Sequence, residues 1–160
     1  MGEEEEKKEC CSWKGVQCSN RTGHIMVLDI HTPQPMFNGN EYLRSNIAPS
    51  LLELQHLKYL DLSYNVFGRS GIPDFIGPLP NLKTFSALRE LRLNNNQFKG
   101  ILTLSVGQLS KLERLRVNSN FLEGSITESH LSNLSTLKEL DLSYNSFSFQ
   151  LEPNWIAPFE

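Results

Sequence analysis

Leu57-Lys58-Tyr59-Leu60-Asp61-Leu62-Ser63-Tyr64-Asn65 reads Leu-x-x-Leu-x-Leu-x-x-Asn, and the chain returns to that phrase three more times. The returns are Leu88/Leu91/Leu93/Asn96, Leu112/Leu115/Val117/Asn120 and Leu137/Leu140/Leu142/Asn145. Self-similarity of this kind marks a stack of small units, each burying its apolar side only against its neighbours. Leu-x-Leu alternation puts the leucines on one face of a short strand. A second apolar series at spacing three lies upstream: Leu51/Leu54/Leu57, Ile76/Leu79/Leu82, Val106/Leu109/Leu112 and Leu131/Leu134/Leu137. That spacing fits a 3₁₀ or short helical turn burying one edge. The pattern predicts an α/β solenoid with short parallel strands on a concave face and 3₁₀ or short helical turns on the convex face.

The asparagines have a mechanical role. Where the chain leaves each strand, inward-turning backbone groups need partners, and an amide side chain both donates and accepts. Asn65, Asn96, Asn120 and Asn145 are expected to form a buried ladder along the stack. Their spacings are 31, 24 and 25 residues. The longer first interval includes Gly68-Arg69-Ser70-Gly71, one residue longer than its later counterparts, and six surplus residues. The surplus is placed at about Lys83 to Leu88, as a bulge or loop. A weaker unit, Ile25/Leu28/Ile30, precedes the array. The stretch after it, as far as Asn46, is rich in Pro, Gly and Asn and reads as an irregular loop.

Composition narrows the function. The 160 residues are 39% hydrophobic and 21% charged, an ordinary globular balance. Net charge is −3, with no basic stripe, so nucleic acid is not an expected partner. No apolar run approaches the roughly 20 residues of a membrane span. Residues 1–9 are acidic, read as a disordered leader, and do not form a secretory signal. No Gly-rich phosphate loop is present, and His24, His31, His56 and His130 are scattered, so an enzyme is not expected. Cys10, Cys11 and Cys18 cluster before the repeats and suggest a disulfide-closed cap, an odd count leaving one over. With His24 they also form a conceivable zinc set, although adjacent cysteines are poor zinc spacing. No metal or cofactor is expected.

Cys10-Cys11-Ser12-Trp13-Lys14-Gly15-Val16-Gln17-Cys18, followed by Gly23-His24-Ile25, resembles the N-terminal cap of plant leucine-rich-repeat proteins. Phe98-Lys99-Gly100, Gly71-Ile72-Pro73 and Leu122-Glu123-Gly124-Ser125-Ile126 are similar to the plant-specific Leu-x-Gly-x-Ile-Pro segment, with Thr103 and Thr127 in place of its proline. Leu57 to Asn65 and Thr127 to Ser135 are similar to receptor-like proteins of the type that perceives fungal ethylene-inducing xylanase. The resemblance covers about residues 9 to 160. It implies a right-handed leucine-rich-repeat solenoid with residues 10–24 as a partial N-terminal cap. Residues 25–160 would hold one irregular and about four regular repeats, with an open C-terminal end. It also implies a Cys11–Cys18 disulfide with Cys10 outside it, and Trp13 covering the apolar end of the first turn. Location would be the plasma membrane or outside the cell, although the chain shows no signal peptide or membrane span and reads as a truncated member.

The residues between the leucines are expected on the concave face. Tyr59, Asp61 and Tyr64 come from the first regular repeat, Glu90, Arg92 and Asn94 from the second. Arg114, Arg116 and Asn118 come from the third, and Glu139, Asp141 and Tyr144 from the fourth. One reading makes this a ligand face with Arg92 and Arg116 as its positive centre. The other makes it a solvated sheet with lateral charge pairs of about 0.2–1 kcal/mol each. Five strands at about 4.8 Å, four residues deep, project to only ~300 Å², well under the ~800 Å² per partner of a stable interface. Asn20-Arg21-Thr22 and Asn133-Leu134-Ser135 are glycosylation sequons if the chain is exported. The resulting expectation is a non-catalytic recognition module of a plant immune receptor-like protein. Its partner would be a protein, peptide or glycan, with a receptor kinase as possible co-receptor. The alternatives are a secreted inhibitor of a microbial wall-degrading enzyme, or a truncated relic with no independent function.

Overall fold

A computed structural model describes residues 9–33, 42–44, 46–67, 71–77 and 85–159. The acidic leader, most of the irregular loop after Pro33, the Gly68–Ser70 insertion, and Leu79 and Leu82 lie outside them, save Glu9 at the leader's end.

Short strands stack into two sheets. The main sheet contains β1 (Val16–Cys18), β2 (Ile25–Asp29), β3 (Tyr59–Asp61), β4 (Glu90–Arg92), β6 (Arg114–Arg116) and β8 (Glu139–Asp141) in that order. β5 (Lys99–Ile101), β7 (Phe121–Ile126) and β9 (Ser146–Phe149) form a second parallel sheet. From β2 to β8 the main sheet is parallel and in register, so Leu28, Leu60, Leu91, Leu115 and Leu140 make one row. β1 pairs antiparallel with β2. This hairpin closes the first edge with a strand that the repeat pattern did not announce, because it belongs to the cap. The second sheet was also missed, since Gly100 and Gly124 break the alternation that marks a strand.

Between strands, 3₁₀ turns at Pro49–Glu53, Asp74–Ile76, Val106–Gln108 and Glu128–His130 return the chain. Leu57, Leu60, Leu91, Leu112, Leu115 and Leu134 are wholly or almost wholly buried between these layers.

The surplus residues sit elsewhere than expected. Leu57, Leu88, Leu112 and Leu137 donate their N–H to the carbonyls of Leu54, Phe85, Leu109 and Leu134 at 2.8–3.0 Å. Phe85 therefore occupies the position of a repeat leucine, and its side chain is buried. Ile76 lies 12 residues before Leu88, whereas Val106 lies 6 before Leu112. By count the extra six thus belong between Ile76 and Phe85, a window that shares only Lys83 and Thr84 with the expected Lys83–Leu88 bulge and whose residues 78–84 lie outside the described ones. Phe85 holds because its ring fills the leucine slot, although its φ is +38°.

The four asparagines line the inner turn. Each donates Nδ2–H to a carbonyl of the preceding unit: Ile30, Leu62, Leu93 and Val117, at 2.9–3.0 Å. The residue before each one, Tyr64, Asn95, Ser119 or Tyr144, takes a left-handed φ of +53° to +57°. That repeated turn aims the amide back into the stack.

Candidate functional site

Parallel register lines Tyr59, Glu90, Arg114 and Glu139 in one concave row and Asp61, Arg92, Arg116 and Asp141 in the next. The two rows interlock. Arg92 Nε donates to Glu90 Oε1 at 2.5 Å, and its Nη1 lies 3.6 Å from Asp61 Oδ2. Arg114 Nη1 donates to Glu90 Oε2 at 3.1 Å, and its Nε lies 3.7 Å from Glu139 Oε2. Arg116 Nε reaches Glu139 Oε1 at 2.5 Å. Asp61, Arg92, Glu90, Arg114, Glu139 and Arg116 form one alternating chain of charge across four strands. Arg92 and Arg116 are consequently not a positive centre, because a carboxylate opposes each guanidinium.

Exposure is graded along the face. Asp61, Glu90 and Asn94 are buried. Tyr59, Tyr64, Arg92, Arg116, Asn118, Glu139 and Asp141 are half-buried, Arg114 is exposed, and Tyr144 is 82% exposed. The buried end is tied to the backbone: Asp61 accepts from Ser63 N–H at 2.9 Å and from the Tyr59 hydroxyl at 3.1 Å. Burial, ahead of the neighbouring Asp61 charge, pushes the Tyr59 phenol well above its ordinary range. Arg92 also lies over the Tyr59 ring, 5.5 Å from its centre. On β8 Asp141 accepts from Ser143 N–H and Oγ at 3.1 and 2.6 Å. The Arg116 guanidinium bonded to Glu139 holds that carboxyl below the usual carboxylate range.

Sequence reasoning missed Asp29 and His31, which extend the face toward the cap. They contact each other, and their ligating atoms lie within 4.8 Å of the Asp61 carboxylate. His31 had been assigned to the irregular loop, so no pattern flagged it. The Asp61 oxygens already serve Ser63, Tyr59 and Arg92, which leaves the trio poorly suited to a cation.

In the cap, Cys11 and Cys18 form a disulfide with Cα atoms 5.6 Å apart, and Cys10 stands outside it. Disulfide sulfurs do not serve as thiolate ligands, and His24 stacks on His56 with ring centres 4.0 Å apart, so the zinc set does not fit. Trp13 is 61% exposed and does not seal the first turn, a correction to the family expectation. Leu28 and Ile30 pack on the core behind the β1–β2 hairpin instead. Asn20 is exposed in the hairpin. Asn133 is exposed beside the last 3₁₀ turn and donates Nδ2–H to Gln108 Oε1 at 3.1 Å.

Known proteins agree with this geometry. Models of the leucine-rich repeat match residues 53–72, 87–109 and 136–159. "Receptor-like protein EIX1" of Solanum lycopersicum is 40% identical over 159 residues, 96% of this chain but 14% of the relative. The chain thus spans about one seventh of that relative's length. The BIR2 ectodomain of Arabidopsis thaliana superposes with a TM-score of 0.72 at 25% identity, over 87% of this chain and 65% of that one. The Arabidopsis receptor kinase HAESA, solved in complex with the peptide hormone IDA and the co-receptor SERK1, gives 0.64 at 28% identity. That likeness covers 86% of this chain and 25% of HAESA.

Proposed function

We propose that this chain, which belongs to the leucine-rich-repeat family and is similar to plant receptor-like proteins, is a non-catalytic recognition module of a cell-surface receptor. Its ligand would be a protein, peptide or glycan of microbial or endogenous origin, with a receptor kinase as co-receptor. The observation that carries the reading is the in-register parallel sheet, which presents side chains in fixed rows on an open face. Such a face binds by complementarity and offers no enclosed reaction site. The resemblance to receptor-like proteins supports the same conclusion.

Within the face, recognition belongs to the side chains that meet solvent. Asp61, Glu90 and Asn94 are committed to the fold by burial, whereas Arg114, Arg116, Glu139, Asp141 and Tyr144 meet solvent. Tyr144 is an amphipathic anchor of the kind enriched at hot spots. Asn20 and Asn133 are proposed as glycan carriers away from this face. The test is recovery of binding partners from a plant cell-wall extract by the wild type and by an Arg116→Ala/Tyr144→Ala variant. Loss of a wild-type partner from the variant supports the reading, and equal recovery of every partner rejects the face.

A further inference from the structure

Beside the ends of β3 and β4 the flank of the solenoid holds a cavity of about 410 Å³. Its lining includes Tyr42, Arg44, Tyr64, Asn95, Asn96 and Gln97. Arg44 bridges Val66 through the backbone, while its side chain is exposed and has no ion pair among the described residues. It differs in this from the three arginines of the concave face, each matched to a carboxylate.

A second observation concerns Asn96. Asn120 Oδ1 accepts the N–H of Phe98 at 3.1 Å, and Asn145 Oδ1 accepts that of Leu122 at 3.0 Å. Asn65 Oδ1 accepts from Leu43 N–H and from the Thr32 hydroxyl. Asn96 is more than nine-tenths buried, yet its Oδ1 has no donor. This rung of the ladder thus lacks the accepting half that the others have, and its Oδ1 is sealed from solvent, so the cavity beside it must bind through its other groups.

We propose that this cavity is a saccharide subsite, and that Arg44 selects an acidic sugar, a uronate. Tyrosine rings take the C–H faces of a pyranose while their hydroxyls stay polar. The planar amides of Asn95 and Gln97 offer paired donors and acceptors that match neighbouring ring hydroxyls. A guanidinium recognises a carboxylate by two parallel hydrogen bonds. The volume falls in the lower part of the small-ligand range of about 300–1,000 Å³. A peptide side chain would find little apolar lining here, Val66 being the one aliphatic residue among the described lining residues. The site is separate from the charged rows of the concave face, so it stands or falls independently of them.

Titration calorimetry with trigalacturonate, its methyl ester and maltotriose tests the assignment. Trigalacturonate is expected to bind, with the ester and the neutral sugar at least about tenfold weaker, the loss of one charge-assisted pair. Arg44→Gln should weaken trigalacturonate by about tenfold and Gln97→Ala by about threefold, the loss of a neutral hydrogen bond. Arg116→Ala should leave its affinity unchanged. Both cavity substitutions are at exposed side chains, and unchanged thermal melting verifies their folding. Absence of trigalacturonate binding overturns the proposal. Equal affinity for acid and ester, or indifference to both Arg44→Gln and Gln97→Ala, overturns it too.

Discussion

Replacing Asn120 by Ala should cost more stability than replacing Asn96, although both occupy the same rung position. Asn120 Nδ2 donates to Leu93 O, Val117 O and Asn118 O at 3.0, 2.9 and 3.3 Å, and its Oδ1 accepts Phe98 N–H at 3.1 Å. Leu93 O and Val117 O keep a second donor, Asn96 Nδ2 at 3.1 Å and Asn145 Nδ2 at 3.0 Å. Their loss is therefore partial, of the order of 0.5–1 kcal/mol each. Phe98 N–H loses the acceptor it has and is left buried, which adds about 1–3 kcal/mol. The total is roughly 2–5 kcal/mol, a large share of the 5–15 kcal/mol typical of a domain. Asn96→Ala removes the same kind of donor contacts, to Leu62 O, Leu93 O and Asn94 O. Its Oδ1 serves no N–H, so that change strands none and should cost about 1–2 kcal/mol. Equilibrium urea unfolding of both variants, followed by circular dichroism, measures the gap. Equal losses, or a larger loss for Asn96→Ala, would refute the argument that the accepting half of the ladder dominates.

Two further outcomes follow from close contacts and from charge. A Cβ at Gly77 would sit 1.7 Å from Ser105 O, a backbone atom of the next unit. Gly77→Ala should cost about 1–3 kcal/mol or more by overpacking, seen as a lowered urea midpoint; an unchanged midpoint would contradict the stacking. Acid should also weaken the fold. Arg116 holds Glu139 below its ordinary 4.5, Lys138 and Arg89 do so for Glu113, and the Glu152 N–H does so for Glu128. Carboxylates depressed in the folded state contribute stability above their unfolded value and lose it as pH falls through the folded one. The urea midpoint should therefore hold steady down to about pH 5 and decline below it, less steeply in Glu139→Gln. A decline already present above pH 6 would point to other groups.

The repeat phrase made the strands, their parallel stacking and the ladder legible because each rests on a periodic apolar or amide position. What was not legible depended on one unit meeting a different neighbour. The second sheet grows from segments such as Lys99-Gly100-Ile101, whose glycine removes the side chain that would mark a period. Phe85 was misread because spacing alone suggested Leu82 as the turn residue. Core volume and the Leu88 hydrogen bond decided for Phe85 instead. The cap disulfide came from family likeness, not from the residues, which had left pairing and zinc both open. Arg44 and Tyr42 carried no sequence signal at all, since the irregular stretch that holds them has no pattern.

Alternation says which side chains leave the sheet on its outer face, but not which reach water. Neighbouring strands 4.7–4.9 Å apart let a long side chain lie over a shorter one. Arg92 does this to Tyr59 and Asp61, and Arg92 and Arg114 together shut in Glu90. A buried carboxylate with its partner removed is costly. The middle of the face must therefore keep its own ion pairs and cannot lend them cheaply to a ligand. The cover differs from strand to strand. Glu139 and Asp141 on β8 are more exposed than Glu90 and Asp61, their counterparts in the rows, and Tyr144 beyond them is almost free of cover. On physical grounds, then, the contacts that can be given to a partner without loss to the fold lie outside this buried middle, as at Arg114.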